Sequence, residues 1–237
     1  MLRKLSLLAV ALAATVAVGN ASATFFMVDN FDGFDQTVAD PTVGGAVAVG
    51  SVAGAPFNRR LSHNLIQCTF GNQALCFPNG SFARIGAIAD GNLEVINSPR
   101  HRSEVIVRWT LTPNYIPVAV VNQDLNFHLL VVSTDLVAPV SLWWSAASVN
   151  PSAGSFSQFS VMNIPGATSN LLVPFLMTPV QQNAINAGGT LEMRVTGPLG
   201  LDAVFEQLGM KIPEPTSIAL VGLALLGAGV VSRRRKV

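Results

Sequence analysis

The sequence predicts an all-β fold, an antiparallel β-sandwich, on three observations. Apolar and polar residues alternate at period two through much of the middle of the chain, turn-forming clusters interrupt that alternation at short intervals, and one stretch alone has a helical pattern. Period two puts one side of a segment against a core and the other in water, which is the requirement of a half-buried strand. Ten or so short strands separated by frequent turns suit two packed antiparallel sheets.

The elements follow in chain order. Ser103 to Leu111 places Val105, Val107, Trp109 and Leu111 on one side of a strand. Leu125, Phe127, Leu129 and Val131 repeat the pattern with Asn126 and His128 opposite. Thr178 to Ala187 reads as the one helix, with Thr178 as N-cap, Pro179 at the first helical position and Gly188 beyond the end. Leu191, Met193 and Val195 then face away from Glu192, Arg194 and Thr196. Turn chemistry separates these runs at Pro78-Asn79-Gly80, Asp90-Gly91-Asn92, Asn97-Ser98-Pro99, Asn150-Pro151-Ser152, Pro165-Gly166 and Gly188-Gly189. No repeat at a period of 20 to 50 residues is visible, which argues against solenoids and propellers.

The two ends carry targeting signals. Arg3 and Lys4 form a basic start, Leu5 to Val18 is apolar, and Ala21-Ser22-Ala23 supplies small residues for signal peptidase, so residues 1–23 read as a cleaved signal peptide. At the other end Pro213-Glu214-Pro215 stops any regular element, because two prolines fix φ and remove backbone donors. Thr216 to Val231 follows with 16 uncharged residues. As a helix that run would measure about 24 Å against a hydrocarbon core of about 30 Å, a gap that local thinning and snorkelling can close. Arg233, Arg234, Arg235 and Lys236 come directly after it and belong on the cytoplasmic side. Residues 24–212 then lie on the far side of the membrane, where the signal peptide also sends them.

The order of Pro213-Glu214-Pro215, apolar helix and basic cluster resembles the PEP-CTERM sorting signal of Gram-negative bacteria that make exopolysaccharide. The resemblance covers residues 213–237 and implies that an exosortase, a membrane cysteine protease-transpeptidase, recognises the motif and releases the protein from its transmembrane helix. It implies an exported protein, anchored in the inner membrane before sorting and then placed at the cell surface or in the extracellular matrix. It concerns the address and not the cargo. Within residues 24–212, the opening Phe25-Phe26-Met27-Val28-Asp29 and the closing Ala203-Val204-Phe205-Glu206 stretch resemble the first and last strands of jelly-roll carbohydrate-binding domains, which bring both ends into one sheet.

Residues 24–212 hold 12 acidic and 8 basic side chains, a net charge of about −4. A nucleic-acid-binding domain would show the opposite surplus. Cys68 and Cys76 are the sole cysteines, and an even pair in an oxidising compartment predicts a disulfide closing a short loop. Seven intervening residues and no Cys or His companion argue against a metal or redox pair.

Few residues suggest chemistry. The sequence holds no Gly-x-Ser-x-Gly elbow, His-Glu-x-x-His pair, phosphate-binding loop or dinucleotide fingerprint. His63, His101 and His128 stand singly, and His101 reads as part of a solvated loop entering a strand. Glu94, Glu104, Glu192 and Glu206 are the carboxylates a glycosidase pair would draw on, and strand carboxylates ordinarily face water. The expectation is a non-enzyme. Asp29, Asp32, Asp35 and Asp40 crowd twelve residues beside Asn30 and Gly33, a candidate structural calcium site on an acidic loop and otherwise a solvated one. No other cofactor is expected.

These readings predict a structural or adhesive protein linked to extracellular polysaccharide, with a carbohydrate-binding module as the alternative and a polysaccharide hydrolase third. A binding module needs exposed aromatics, for which Trp109, Trp143, Trp144 and Tyr115 are the candidates. Adjacent Trp143 and Trp144 must point to opposite sides of a strand, so one of them faces outward.

Overall fold

The computed structural model describes residues 24–39, 48–51, 56–69, 81–116, 125–146 and 156–212. The chain divides into two compact units, Phe26–Lys211 and the two ends, Met1–Phe25 with Ile212–Val237. The signal peptide, Pro213-Glu214-Pro215, the apolar run and the basic cluster all lie outside the described residues, as do Asp40 and Cys76. Among the described residues no helix is long and apolar enough to cross a membrane.

The strands are β1 (Thr24–Asp29), β2 (Gln36–Val38), β3 (Ala48–Ser51), β4 (Arg60–Cys68), β5 (Ser81–Gly86), β6 (Asn92–Asn97) and β7 (His101–Leu111). They continue with β8 (Asn126–Thr134), β9 (Ala138–Ala146), β10 (Ser157–Ile164), β11 (Thr168–Phe175), β12 (Gly189–Thr196) and β13 (Ala203–Ile212). The first sheet has the order β11-β8-β13-β6-β5-β2, with β1 also paired to β13. The second has the order β10-β9-β12-β7-β4-β3. From β5 onward the chain alternates between the sheets in singles and pairs, and the neighbouring strands run antiparallel. This is the jelly-roll form of the sandwich, with more strands than the ten or so expected.

Alternation along each strand builds the core. Val105, Val107, Trp109 and Leu111 of β7, and Leu191, Met193 and Val195 of β12, are buried from the second sheet. Phe127, Leu129 and Val131 of β8, Leu93 and Val95 of β6, and Phe205 and Leu208 of β13 meet them from the first. Each of these side chains is worth about 1.5–3 kcal/mol when taken from water.

Two polar clusters cross that apolar layer. Asp29 at the end of β1 accepts from both terminal contacts of Arg59 Nη1 at 3.0 Å, from Phe31 N at 2.9 Å and from Trp109 Nε1 at 2.7 Å. Arg59 also donates to Gln36 Oε1, Gly33 O and Phe34 O, so the β1–β2 loop is folded around one buried guanidinium. Further along, His63 Nε2 meets Ser81 Oγ at 2.8 Å, and Asn97 Oδ1 accepts from both Ser81 and Ser103. His63 and Ser103 belong to the second sheet, Ser81 and Asn97 to the first.

The one α-helix among the described residues, α1 (Pro179–Asn186), lies where the sequence predicts it. Thr178 Oγ1 accepts from Gln181 N while Gln181 Oε1 accepts from Thr178 N, a reciprocal cap with Pro179 in the first turn.

Candidate functional site

The solvent side of the second sheet collects the most concentrated polar chemistry of the domain. Register explains how. Trp143 of β9 lies opposite Glu192 of β12, Glu192 lies opposite Arg108 of β7, and Arg108 lies opposite Arg60 of β4. One row across four strands therefore reads Trp143, Glu192, Arg108, Arg60. Two positions along the strands a second row reads Ser141, Arg194, Ile106, Ser62.

Glu192 is the centre of the face. Its side chain is 0% exposed although it points away from the core, because Arg108 and Arg194 close over it. Arg108 Nε donates to Glu192 Oε2 and Arg194 Nε to Glu192 Oε1, so each carboxylate oxygen has its own guanidinium. Removing a carboxylate from water costs several kcal/mol unless it is paired, and the two arginines satisfy that requirement. Arg194 Nη1 also reaches to 3.9 Å from Glu104 Oε1. Burial pushes the Glu104 carboxyl up, Arg194 opposes that shift, Glu192 adds to it and Arg108 opposes it.

Aromatic rings hold both arginines in place. The Arg194 guanidinium stands 4.3 Å from the centre of the half-buried Trp143 ring, and Arg108 stands 5.0 Å from that of Phe156. Such contacts add attraction between cation and ring face and fix the long side chains. The Trp143 indole donates to Ser141 Oγ at 2.8 Å, which sets its ring against the sheet. Among the described residues the Nη atoms of Arg108 meet no hydrogen-bond acceptor, and Arg108 and Arg194 are 31% and 26% exposed.

The other expected residues go elsewhere. Trp144 faces inward from the same strand, against Gly189, and its Nε1 finds no hydrogen-bond partner among the described residues. Trp109 is fully buried, and Tyr115 is buried between Phe26 and Phe57 with its hydroxyl donating to Met27 O, where burial pushes the phenol up. Neither is a surface aromatic. His101 is buried at the start of β7 beside Ser98, not in a solvated loop, and His63 is buried as well. Glu192 does not face water, whereas Glu94 pairs with Arg84 on the first sheet and Glu206 lies in β13.

The acidic loop is dispersed. Asp29 has its carboxylate taken up by Arg59, Trp109 and Phe31, Asp35 accepts from Ala87 N at 2.7 Å, and Asp32 accepts from Asn30 Nδ2. A guanidinium thus occupies the position a cation would take at Asp29. Asp32 also borders a hollow of about 470 Å³ with Asn30, Asp90, Asn92 and Glu206. Among the described residues no group of three or more His, Cys, Asp or Glu is placed to hold a metal ion. Cys68 is the last residue of β4, and its expected partner Cys76 lies outside the described residues.

Trp143 and Glu192 are both visible as candidates in the sequence, and the register sets them side by side. Arg108, Arg194 and Phe156 become a site only once β7, β12 and β9 are laid in register.

Comparison with known proteins separates the address from the domain. Residues 211–236 match the PEP-CTERM protein-sorting motif, starting where β13 ends. The chain therefore carries that sorting motif behind a jelly-roll β-sandwich. No curated protein is similar to it. Among solved structures it is similar to the family 11 carbohydrate-binding module of the cellulosomal cellulase Lic26A-Cel5E of Clostridium thermocellum, at 10% identity and a TM-score of 0.38 over 81% of this chain and 96% of that one. It is also similar to the K1 cleaved adhesin domain of Lys-gingipain from Porphyromonas gingivalis, at 8% identity and a TM-score of 0.31 over 76% and 99%. A fucosidase of Ruminococcus gnavus gives 8% and 0.26 over 68% and 26%. Likenesses this distant carry no argument about what the face binds.

Proposed function

We propose that the chain is exported through a signal peptide removed by signal peptidase, held in the inner membrane of a Gram-negative bacterium, and released by an exosortase to the cell surface or extracellular matrix. There the sandwich has a structural or adhesive role, holding extracellular polysaccharide on the solvent side of its second sheet. The observation that carries the reading is the sorting motif at residues 211–236, set directly behind the last strand. The face supplies the rest: a half-buried indole, two ring-held guanidinia and the Ser141 hydroxyl suit the mixed apolar and polar surface of a sugar chain. Glu192 has both oxygens engaged by arginines, so the face is built for holding and not for acid–base cleavage.

Affinity electrophoresis of the full chain in mild detergent, through gels containing neutral or acidic polysaccharides, tests the binding. Trp143→Ala should weaken retardation by about tenfold, the scale of losing one anchoring aromatic. Retardation by no polysaccharide, or retention of it by Trp143→Ala, removes the face from the reading. The address is tested separately in the native host, where Glu214→Ala should leave a longer, membrane-bound form by intact mass. Wild-type protein that keeps Thr216–Val237 would replace sorting with permanent anchoring.

A further inference from the structure

The two sides of the sandwich differ in charge, and the difference points to the class of polysaccharide. Arg60, Arg102, Arg108 and Arg194 all lie on the solvent side of the second sheet, against two glutamates, Glu104 and Glu192. Residues 24–212 as a whole are acidic, with 12 carboxylates and 8 basic groups. The other described carboxylates, among them Asp32, Asp90, Glu94, Asp135, Asp202 and Glu206, belong to strands of the first sheet or to loops at their ends. A net acidic domain thus places four of its seven arginines on one face.

The inner pair shows what those arginines recognise. Arg108 and Arg194 each hold a carboxylate oxygen of Glu192 through Nε, their side chains stay 31% and 26% exposed, and Arg194 Nη1 also stands 3.9 Å from Glu104 Oε1. A guanidinium binds carboxylate through two parallel N–H donors, and both rings that hold these side chains keep that plane fixed before any ligand arrives. Arg60, opposite Arg108 on β4, and Arg102, further along β7 from Arg108, extend the positive surface as exposed side chains. Spacing charges along the strands in this way suits a linear polyanion better than a single small acid.

We propose that the second-sheet face selects carboxylate-bearing polysaccharide over neutral polysaccharide, with Arg108 and Arg194 as the central carboxylate contacts and Arg60 and Arg102 as the flanking ones. This rests on the polysaccharide reading above and adds the charge of the ligand to it.

The test compares polygalacturonate with the same polymer fully methyl-esterified, which keeps the backbone and removes the charge, using the full chain in mild detergent at low ionic strength. Polygalacturonate should bind at least about tenfold more tightly, one charge-assisted contact's worth, and raising the salt towards 0.5 M should erase most of that difference. Arg60→Gln with Arg102→Gln, both exposed and outside the packed core, should reduce the preference several-fold without touching the fold. Arg108→Gln together with Glu192→Gln removes the buried pair evenly and should abolish it. Equal binding of the charged and esterified polymers overturns this inference while leaving the polysaccharide reading intact. Binding of neither polymer, nor of any neutral glycan, overturns both. A preference that survives all four substitutions places the anion site elsewhere and also overturns it.

Discussion

At the scale of single residues the sandwich is fastened by polar side chains that span its apolar layer. Asp29 joins β1 to Trp109 of the opposite sheet, and Arg59 joins the same carboxylate to Gln36 and the loop carbonyls. Both members of the ion pair are 0% exposed, so neither has water to fall back on. Asp29→Asn leaves a buried guanidinium without its counter-charge, and such broken pairs cost about 3–5 kcal/mol. Urea unfolding followed by tryptophan fluorescence should show that loss. A change below 1 kcal/mol would mean the pair contributes no net stability. None of this was legible in the sequence, because Arg59 stands thirty positions from Asp29 with nothing between them to mark the partnership. The acidic run Asp29-Asn30-Phe31-Asp32 suggests a calcium loop for the same reason, since only the fold shows that an arginine already occupies its first carboxylate.

At the scale of elements, pattern was a good guide and partnership was not. The alternation in Ser103–Leu111 and in Leu191–Thr196 placed the core side chains Val105, Val107, Trp109, Leu111, Leu191, Met193 and Val195 on the correct side, while Ile106 and Glu192 are buried on the other. It likewise split Trp143 from Trp144. It could not show that Glu192, on the outer side, would be sealed by Arg108 and Arg194, because that depends on which strands become neighbours. The helix was legible down to its cap, since Thr178, Pro179 and Gln181 act within one turn of chain. Thr178→Ala removes one arm of the reciprocal cap and should cost about 1 kcal/mol, read as a lower urea midpoint with an unchanged slope. Gly189 marks the opposite end of the scale of tolerance. A Cβ there would stand 2.3 Å from Ser145 O and 2.6 Å from the Trp144 ring, so the turn from α1 into β12 admits no side chain without moving β9.

At the scale of the whole molecule, the C-terminal sorting motif, legible from Pro213-Glu214-Pro215 and the basic cluster alone, concerns transport, and the sandwich concerns what is transported. Export should also govern the cysteines. Cys68 closes β4, and its sole possible partner within the chain is Cys76. Intact mass of the exported protein should fall 2 Da below the reduced value, roughly the two hydrogens lost on oxidation, with a closed loop of this size worth about 2–3 kcal/mol. Free thiols at both positions would refute the pairing. The unequal division of charge between the two sides has no counterpart in any local segment, since Arg60, Arg102, Arg108 and Arg194 come from three separate strands.

The last strand has a mechanical consequence. β13 lies inside the first sheet, paired to β8 from Ala203 to Lys211 and to β6 from Ala203 to Phe205, and the chain leaves it at Ile212. A force applied at Ile212 along the strand axis is carried by the ladder on both sides of β13. Ladder bonds in an antiparallel pair lie across that axis. They are therefore loaded together, in shear, and do not peel apart one after another. A load applied at Ile212 is thus shared by many ladder bonds at once.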